Sequence, residues 1–233
     1  MITFRKHLCL FLVAVLSTIA LMPLSAQDDS SSSWSAGADL VTSFVWRGTR
    51  LGSGPHLQPV MEYSTGPFTA GAWGSFDMNG YEEVDLYFAF DLPGGFTLGM
   101  QDYYLPELPY FEYSAADGAH AFEVNLDWES DNVWLSANYI INEAGAVGSY
   151  GNDLYFEAGI SFEYFSLFMG AGSGWHTGSG SFNVCNLGLE VTHDIAITEL
   201  FSVPVTGQLI FNPDMEQMFL VAGFALHTFQ SSR

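Results

Sequence analysis

The sequence predicts an all-β fold, a closed antiparallel transmembrane β-barrel of about twelve strands, with ten as the alternative count. Three observations predict it. From Trp34 onward, segments of roughly ten residues alternate apolar and polar side chains, and Gly, Pro, Asn, Asp and Ser separate them. The two faces of these segments are unlike in an inside-out sense, one dense in Phe and Leu, the other made of acids, Tyr and small residues. Finally, nothing after the N-terminal region reaches the roughly 18 consecutive apolar residues that a spanning helix needs, which leaves strands as the crossing elements.

The N-terminal region reads as a cleavable leader. Arg5 and Lys6 form a charged start, an apolar run extends from Leu8 to Met22, and the small residues Ser25 and Ala26 precede an acidic, Ser-rich stretch. This is the pattern of a secretory signal peptide over 1–26, cut after Ala26. Gln27 rather than a cysteine follows the cut, so lipid anchoring is not expected. A disordered segment over 27–33, a barrel over 34–229 and a tail over 230–233 complete the expected organisation.

Charge narrows the function classes. Without the leader, Arg47, Arg50 and Arg233 face 26 acidic residues, for a net charge of −23 and no lysine. Nothing is available to neutralise phosphates, which argues against a nucleic-acid partner. Acidic disorder is excluded by 48% hydrophobic and 16% aromatic residues. Cys185 is the one cysteine after the leader, so no internal disulfide is expected.

The strands are placed by period-two alternation. In Phe68-Thr-Ala-Gly-Ala-Trp-Gly-Ser-Phe-Asp-Met78, the even positions are mostly apolar, while Thr69, Ser75 and Asp77 share the other face. Val84, Leu86, Phe88 and Phe90 repeat the pattern, as do Leu154, Phe156, Ala158 and Ile160. The twelve segments expected are 35–46, 56–64, 68–78, 83–92, 96–105, 120–128, 133–142, 153–162, 165–173, 182–192, 201–211 and 218–229. Longer connections at 48–55, 106–119, 143–152 and 174–181 follow odd strands and would be outer loops if the N-terminus is periplasmic. The stretch 193–200 is long for an inner turn. A soluble sandwich would also alternate, but it would turn its apolar face inward and guard its edges with lysine.

Thr42-Ser-Phe-Val-Trp-Arg-Gly48, Gly54-Pro-His-Leu-Gln-Pro59, Glu62-Tyr-Ser64 and Phe68-Thr-Ala-Gly-Ala-Trp-Gly-Ser75 resemble the TorF-type porin family of outer-membrane proteins. The resemblance is best over the first three strands and reasonable at Glu83-Val-Asp-Leu-Tyr87. It implies a β-barrel of porin-like activity and supplies no catalytic residue.

With the Phe/Leu face outward, the expected pore lining is Asp39, Arg47, Glu62, Asp77, Asp85, Tyr87, Glu123, Asp127, Tyr155 and Glu157, with Glu163 and Glu190 also inward. Carboxylates in a wet channel enrich cations, which predicts cation preference. The bland alternative is that the acids pair with Arg47, bond to Tyr and Asn, or share protons. Arg47 itself reads as a clamp on the wall or as a narrowing of the pore. Trp34, Trp46, Trp128, Tyr63, Tyr139 and Phe162 are expected in the outward aromatic girdles, and Trp73, Trp134 and Tyr103 inward. The histidines occur singly without metal-ligand spacing, and no motif asks for a cofactor. Passive diffusion of small solutes is the function expected, with outer-membrane lipid and the barrel-assembly machinery as partners. A closed structural or interaction barrel with ligand-binding outer loops is the alternative. A lipid-modifying enzyme is the third class, though Ser173 and His176 form no recognisable catalytic motif.

Overall fold

The computed structural model describes residues 32–198 and 201–227. The expected leader and tail lie outside them. In chain order the strands are β1 (Ser32–Val41), β2 (Phe44–Trp46), β3 (Thr49–Leu51), β4 (His56–Thr65), β5 (Phe68–Asp77), β6 (Glu82–Leu92), β7 (Phe96–Tyr104) and β8 (His120–Glu129). They continue with β9 (Val133–Ile140), β10 (Glu143–Ala144), β11 (Ser149–Tyr150), β12 (Asp153–Ser161), β13 (Ser166–Gly172), β14 (Asn183–Thr198), β15 (Phe201–Asn212) and β16 (Gln217–His227). A single-turn 3-10 helix spans Gly174–His176.

Twelve of these strands close into an antiparallel barrel in which neighbours in space follow one another along the wall. β1 makes the seam. It pairs with β4 from Ser32↔Thr65 to Val41↔His56, and with β16 from Gly37↔His227 to Val41↔Gly223. Closure gives every wall strand a hydrogen-bonded neighbour on each side, although the seam between β1 and β16 is paired over only Gly37 to Val41. None of the described helices is long and apolar enough to cross a membrane, and the strands are the extended elements.

The pleat sends successive side chains to opposite faces. Leu40, Leu86, Phe88, Leu98, Phe156 and Phe211 stand exposed on the outer wall. Asp85, Tyr103, Glu123, Asn138 and Tyr155, one residue out of phase, are buried on the inner one. The buried cluster of Tyr103, Ala121, Ile140 and Ala144, with Trp46, Val147 and Trp175 against it, therefore forms inside the barrel. It sits at the end bearing the long connections.

Three boundaries differ from the sequence expectation. β1 begins at Ser32, inside the stretch expected to be disordered, because Ser32 and Ser33 pair with Thr65 and Ser64. The first wall strand stops at Val41 rather than running to residue 46. The apolar, β-prone residues Phe44–Trp46 do form a strand, but that strand pairs with β3 instead of the wall. At the other end of the chain, the expected turn over 193–200 is largely strand, since Thr192 to Ala196 pair with Thr206 to Ser202.

Candidate functional site

The segment after β1 turns into the lumen. Thr42 N donates to Ala222 O at 2.8 Å, and β2 and β3 then form a hairpin with Trp46↔Thr49 as its last pair. Arg47 (φ 49°) and Gly48 (φ 82°) are both left-handed, the backbone signature of a two-residue primed turn. Gly48 is required twice over. A Cβ there would lie 1.9 Å from the carbonyl oxygen of Cys185, so the hairpin tip rests on the backbone of β14. On the other side, Asn212 Nδ2 donates to Gly48 O at 3.0 Å.

The hairpin reaches much of the circumference. Phe44 packs against Trp73, His56 and Tyr81, while Trp46 packs against Tyr103, Trp175 and His176. At its tip, Arg47 Nη1 and Nη2 donate to the two carboxylate oxygens of Glu123 at 2.6 and 2.8 Å. Its guanidinium carbon also lies 4.4 Å from the Tyr155 ring centroid and 4.7 Å from that of Trp46. Burial works against the Arg47 charge, but Tyr103, Glu123 and Tyr155 outweigh it and hold the proton more tightly than usual. Glu123 is itself fully buried and accepts from Tyr103 and Asn125 as well. The ion pair is thus bidentate, enclosed and saturated with donors, the arrangement a buried pair requires.

A second connection meets the first at this point. His176 Nε2 lies 3.5 Å from Arg47 Nη1, and its ring packs on Tyr155 and Trp46. Burial, with Arg47 adding to it, pushes the imidazole down to about 2, so it is neutral. The structure therefore favours Arg47 as a clamp, which holds an inserted hairpin rather than two wall strands.

The other expected lining residues divide by depth. Asp85 and Tyr155 are buried beneath the hairpin; Asp85 accepts from Gln101 at 2.7 Å, and its Oδ1 has no hydrogen-bond partner. Asp77 faces the rim, where the backbone N–H groups of Ser53, Asn79, Gly80 and Tyr81 bind it. It fastens two connections rather than lining a channel. Glu62 and Tyr87 are joined at 2.9 Å, with Ser35 donating to the same carboxylate. Asp39 and Glu157 border open space, and Asp127 is half-buried on the inward face of β8.

Two expected orientations are corrected. Glu163 is exposed in the turn after β12, because Phe162 N bonds Phe165 O and the alternation ends at Ser161. Trp46 points into the lumen because its strand belongs to the hairpin. Trp34 and Tyr139 do stand exposed, and Trp34 packs on Tyr63 at 5.0 Å. Of the histidines, His120 faces outward, where it bonds Asp102 at 2.9 Å between the rings of Tyr104 and Tyr113. No cluster of metal-ligating residues occurs among the described residues.

The half of the lumen nearer the short turns is hollow. One cavity of about 230 Å³ is bordered by Val45, Trp134, Glu157, Phe168, Asn186, Glu190 and Gln208. Another of about 330 Å³ shares Val45, Glu190 and Gln208 and extends to Asp39 and Thr206. Val45 of the hairpin borders both. Sequence reasoning missed Phe44, Trp175, Asn186 and Asn212 as interior residues. The signal for the hairpin was Arg47-Gly48 between two β-prone triplets.

No protein-family model matches the sequence, and no curated protein matches it. Among solved structures, the chain is similar to a mutant of the Rh. blastica porin at 11% identity and a TM-score of 0.40, over 74% of this chain and 55% of that one. It is also similar to KdgM porin, at 7% identity and 0.47, over 84% of this chain and 99% of that one. A third is Acinetobacter baumannii OccAB3, at 8% identity and 0.38, over 87% and 65%. The chain spans about half the length of the Rh. blastica porin that it matches.

Proposed function

We propose that this chain is an outer-membrane channel of porin type that passes small solutes by passive diffusion and prefers cations. The observation that carries the reading is the inside-out wall. A girdle of exposed Leu and Phe surrounds a lumen of carboxylates, Tyr, Asn and Gln. Such a large apolar surface is what a bilayer covers and what soluble monomers avoid. The resemblance of the N-terminal segments to TorF-type porins supports the same reading, as does the leader pattern over 1–26, which fits export.

In this reading the hairpin β2–β3 is the constriction, and the long connections lie on the outer side. Twelve strands fall between the filled barrels of about eight and the open channels of sixteen or more, so an inserted segment decides the gauge. Glu157 and Glu190, whose hydrogen-bond donors Tyr155, Asn186 and Gln208 are neutral, then set the preference for cations. The test is single-channel recording in a planar bilayer under a salt gradient. Small discrete steps with a cation-selective reversal potential are expected. Anion selectivity would overturn the charge preference.

The packed outer half also favours a second reading, a closed barrel whose outer connections bind a partner. Complete absence of steps from protein shown to be folded would select it.

A further inference from the structure

The hollow half of the lumen contains more than leftover space. Two inward rings lie flat against the wall, each over a glycine of the adjacent strand. A Cβ on Gly159 would sit 1.9 Å from the Trp134 ring, and one on Gly188 would sit 1.9 Å from the Phe168 ring. The registers Gly159↔Trp134 and Gly188↔Phe168 place these glycines directly opposite the rings. Any other residue would tilt the rings up and fill the cavity. The glycines thus preserve a flat aromatic floor with its π-faces toward the lumen.

A β-bulge adds a polar group to this floor. The register between β13 and β14 shifts at Gly170/Ala171, so that Cys185 has no counterpart on β13, and both Cys185 and Asn186 are buried as a result. Asn186 is 5% exposed and borders the cavity. Its amide nitrogen donates to Tyr155 Oη and Glu157 Oε2, both at 3.0 Å, while its Oδ1 is buried with no hydrogen-bond partner. A buried carbonyl without a donor is costly, and most of the interior groups around it are paired.

The ionisable groups lining the cavity are the acids Glu157 and Glu190, while Arg47 lies behind Tyr155. Glu157 accepts from Tyr155 and Asn186, and Glu190 accepts from Gln208 at 2.5 Å, so both carboxylates have only neutral hydrogen-bond donors. Among the described residues the arginines are Arg47, paired with Glu123, and Arg50, exposed at the hairpin. Arg47 is thus engaged by Glu123, and the residues lining this cavity include no basic side chain.

We propose that the cavity is a binding site for a small organic cation, an ammonium or a quaternary amine. Glu157 and Glu190 supply the counter-charge, the Trp134 and Phe168 faces supply cation–π contact, and the enclosed, unpartnered Asn186 Oδ1 becomes an acceptor once the amide turns toward a ligand with a hydrogen bond to give. At about 230 Å³ the space is of a size for a small amine, and it adjoins the second cavity along Val45, Glu190 and Gln208. The site deepens the channel reading by naming a solute class and rests on it only for transport, since binding itself needs no open pore.

The test is isothermal titration of the refolded barrel in detergent with choline and with ethylammonium, against glycerol and acetate as uncharged and anionic controls. Saturable binding of both cations, weakened by added NaCl, is expected, with no heat from the controls. Glu190→Gln and Glu157→Gln, each checked for heat-modifiable gel migration, should weaken binding at least tenfold. Gly188→Ala should weaken it comparably by lifting the Phe168 ring. Failure of the wild-type barrel to bind either cation would overturn the proposal, as would equal binding of glycerol or unchanged affinity in both carboxylate variants. Bilayer recording separates the two readings: steps without choline binding would sink the site alone, and binding without steps would sink the channel alone.

Discussion

The two halves of the lumen use the same residue types to opposite ends. At the loop end, Glu123 is fully buried and matched by Arg47, Tyr103 and Asn125, and aromatic rings fill the remaining volume. At the turn end, Glu190 and Glu157 are half-buried, bonded to neutral donors and bordered by cavities. What differs is the inserted hairpin, which brings a cation and the Trp46 ring to one half and only the uncharged Phe44 and Val45 to the cavities of the other. An acid inside a barrel is therefore structural or available according to what an inserted connection places beside it.

The largest effect follows from removing that cation. Arg47→Ala leaves the Glu123 carboxylate enclosed without its partner, and truncating one member of a buried pair costs about 3–5 kcal/mol. The temperature at which the folded form is lost in detergent gels should fall sharply, and single-channel conductance should rise as the hairpin detaches. Unchanged heat resistance with altered conductance would instead make Arg47 a pore residue and erase the contrast between the halves. Next in size is Gly48→Val, which combines a left-handed backbone with a clash against the Cys185 carbonyl. It should cost about 1–3 kcal/mol and widen the channel while the β-sheet circular-dichroism signature persists. If conductance stays at the wild-type level, the hairpin is not the constriction.

The wall was legible in the sequence because a strand with an apolar outer face and a polar lumen face must alternate, as Phe88, Phe90 and Leu86 do against Tyr87 and Asp85. The inserted hairpin was not. Phe44, Val45 and Trp46 are β-prone like a wall strand, and apart from the Arg47-Gly48 turn beside them nothing local says whether their partner is β3 or the barrel. That decision rests on contacts with Glu123, Asn212 and the Cys185 backbone, far along the chain. The bulge that buries Cys185 and Asn186 together was hidden for the same reason, since only the register of β13 against β14 reveals it. Arg47 was legible as exceptional because so few other basic residues exist, although its neighbours were not.

A smaller effect concerns pH at the seam between the two connections. His176 has its pKa lowered to about 2 by burial and by Arg47, against about 6.5 in an unfolded chain. Between those values the unfolded chain binds the extra proton, so this contribution is complete above pH 6.5 and is lost as pH falls. Each pH unit below 6.5 should cost about 1.4 kcal/mol, read as a declining melting temperature between pH 7 and 5.5. His176→Gln should flatten that slope, and a slope that survives the substitution would place its origin in the carboxylates.

The smallest expected effect on stability is the sharpest probe of the contrast. Glu190→Gln replaces a half-buried carboxylate whose partner is the neutral Gln208, so no charge is left unpaired and the change should stay within about 0.5 kcal/mol. Its consequence should appear in the ions instead, because the acid that borders both cavities is gone. The reversal potential under a salt gradient should move toward zero while the folded barrel melts where the wild type does. A loss of stability approaching that of Arg47→Ala would show that the turn-end acids hold the wall together just as Glu123 does. The two halves would then differ in packing and not in role.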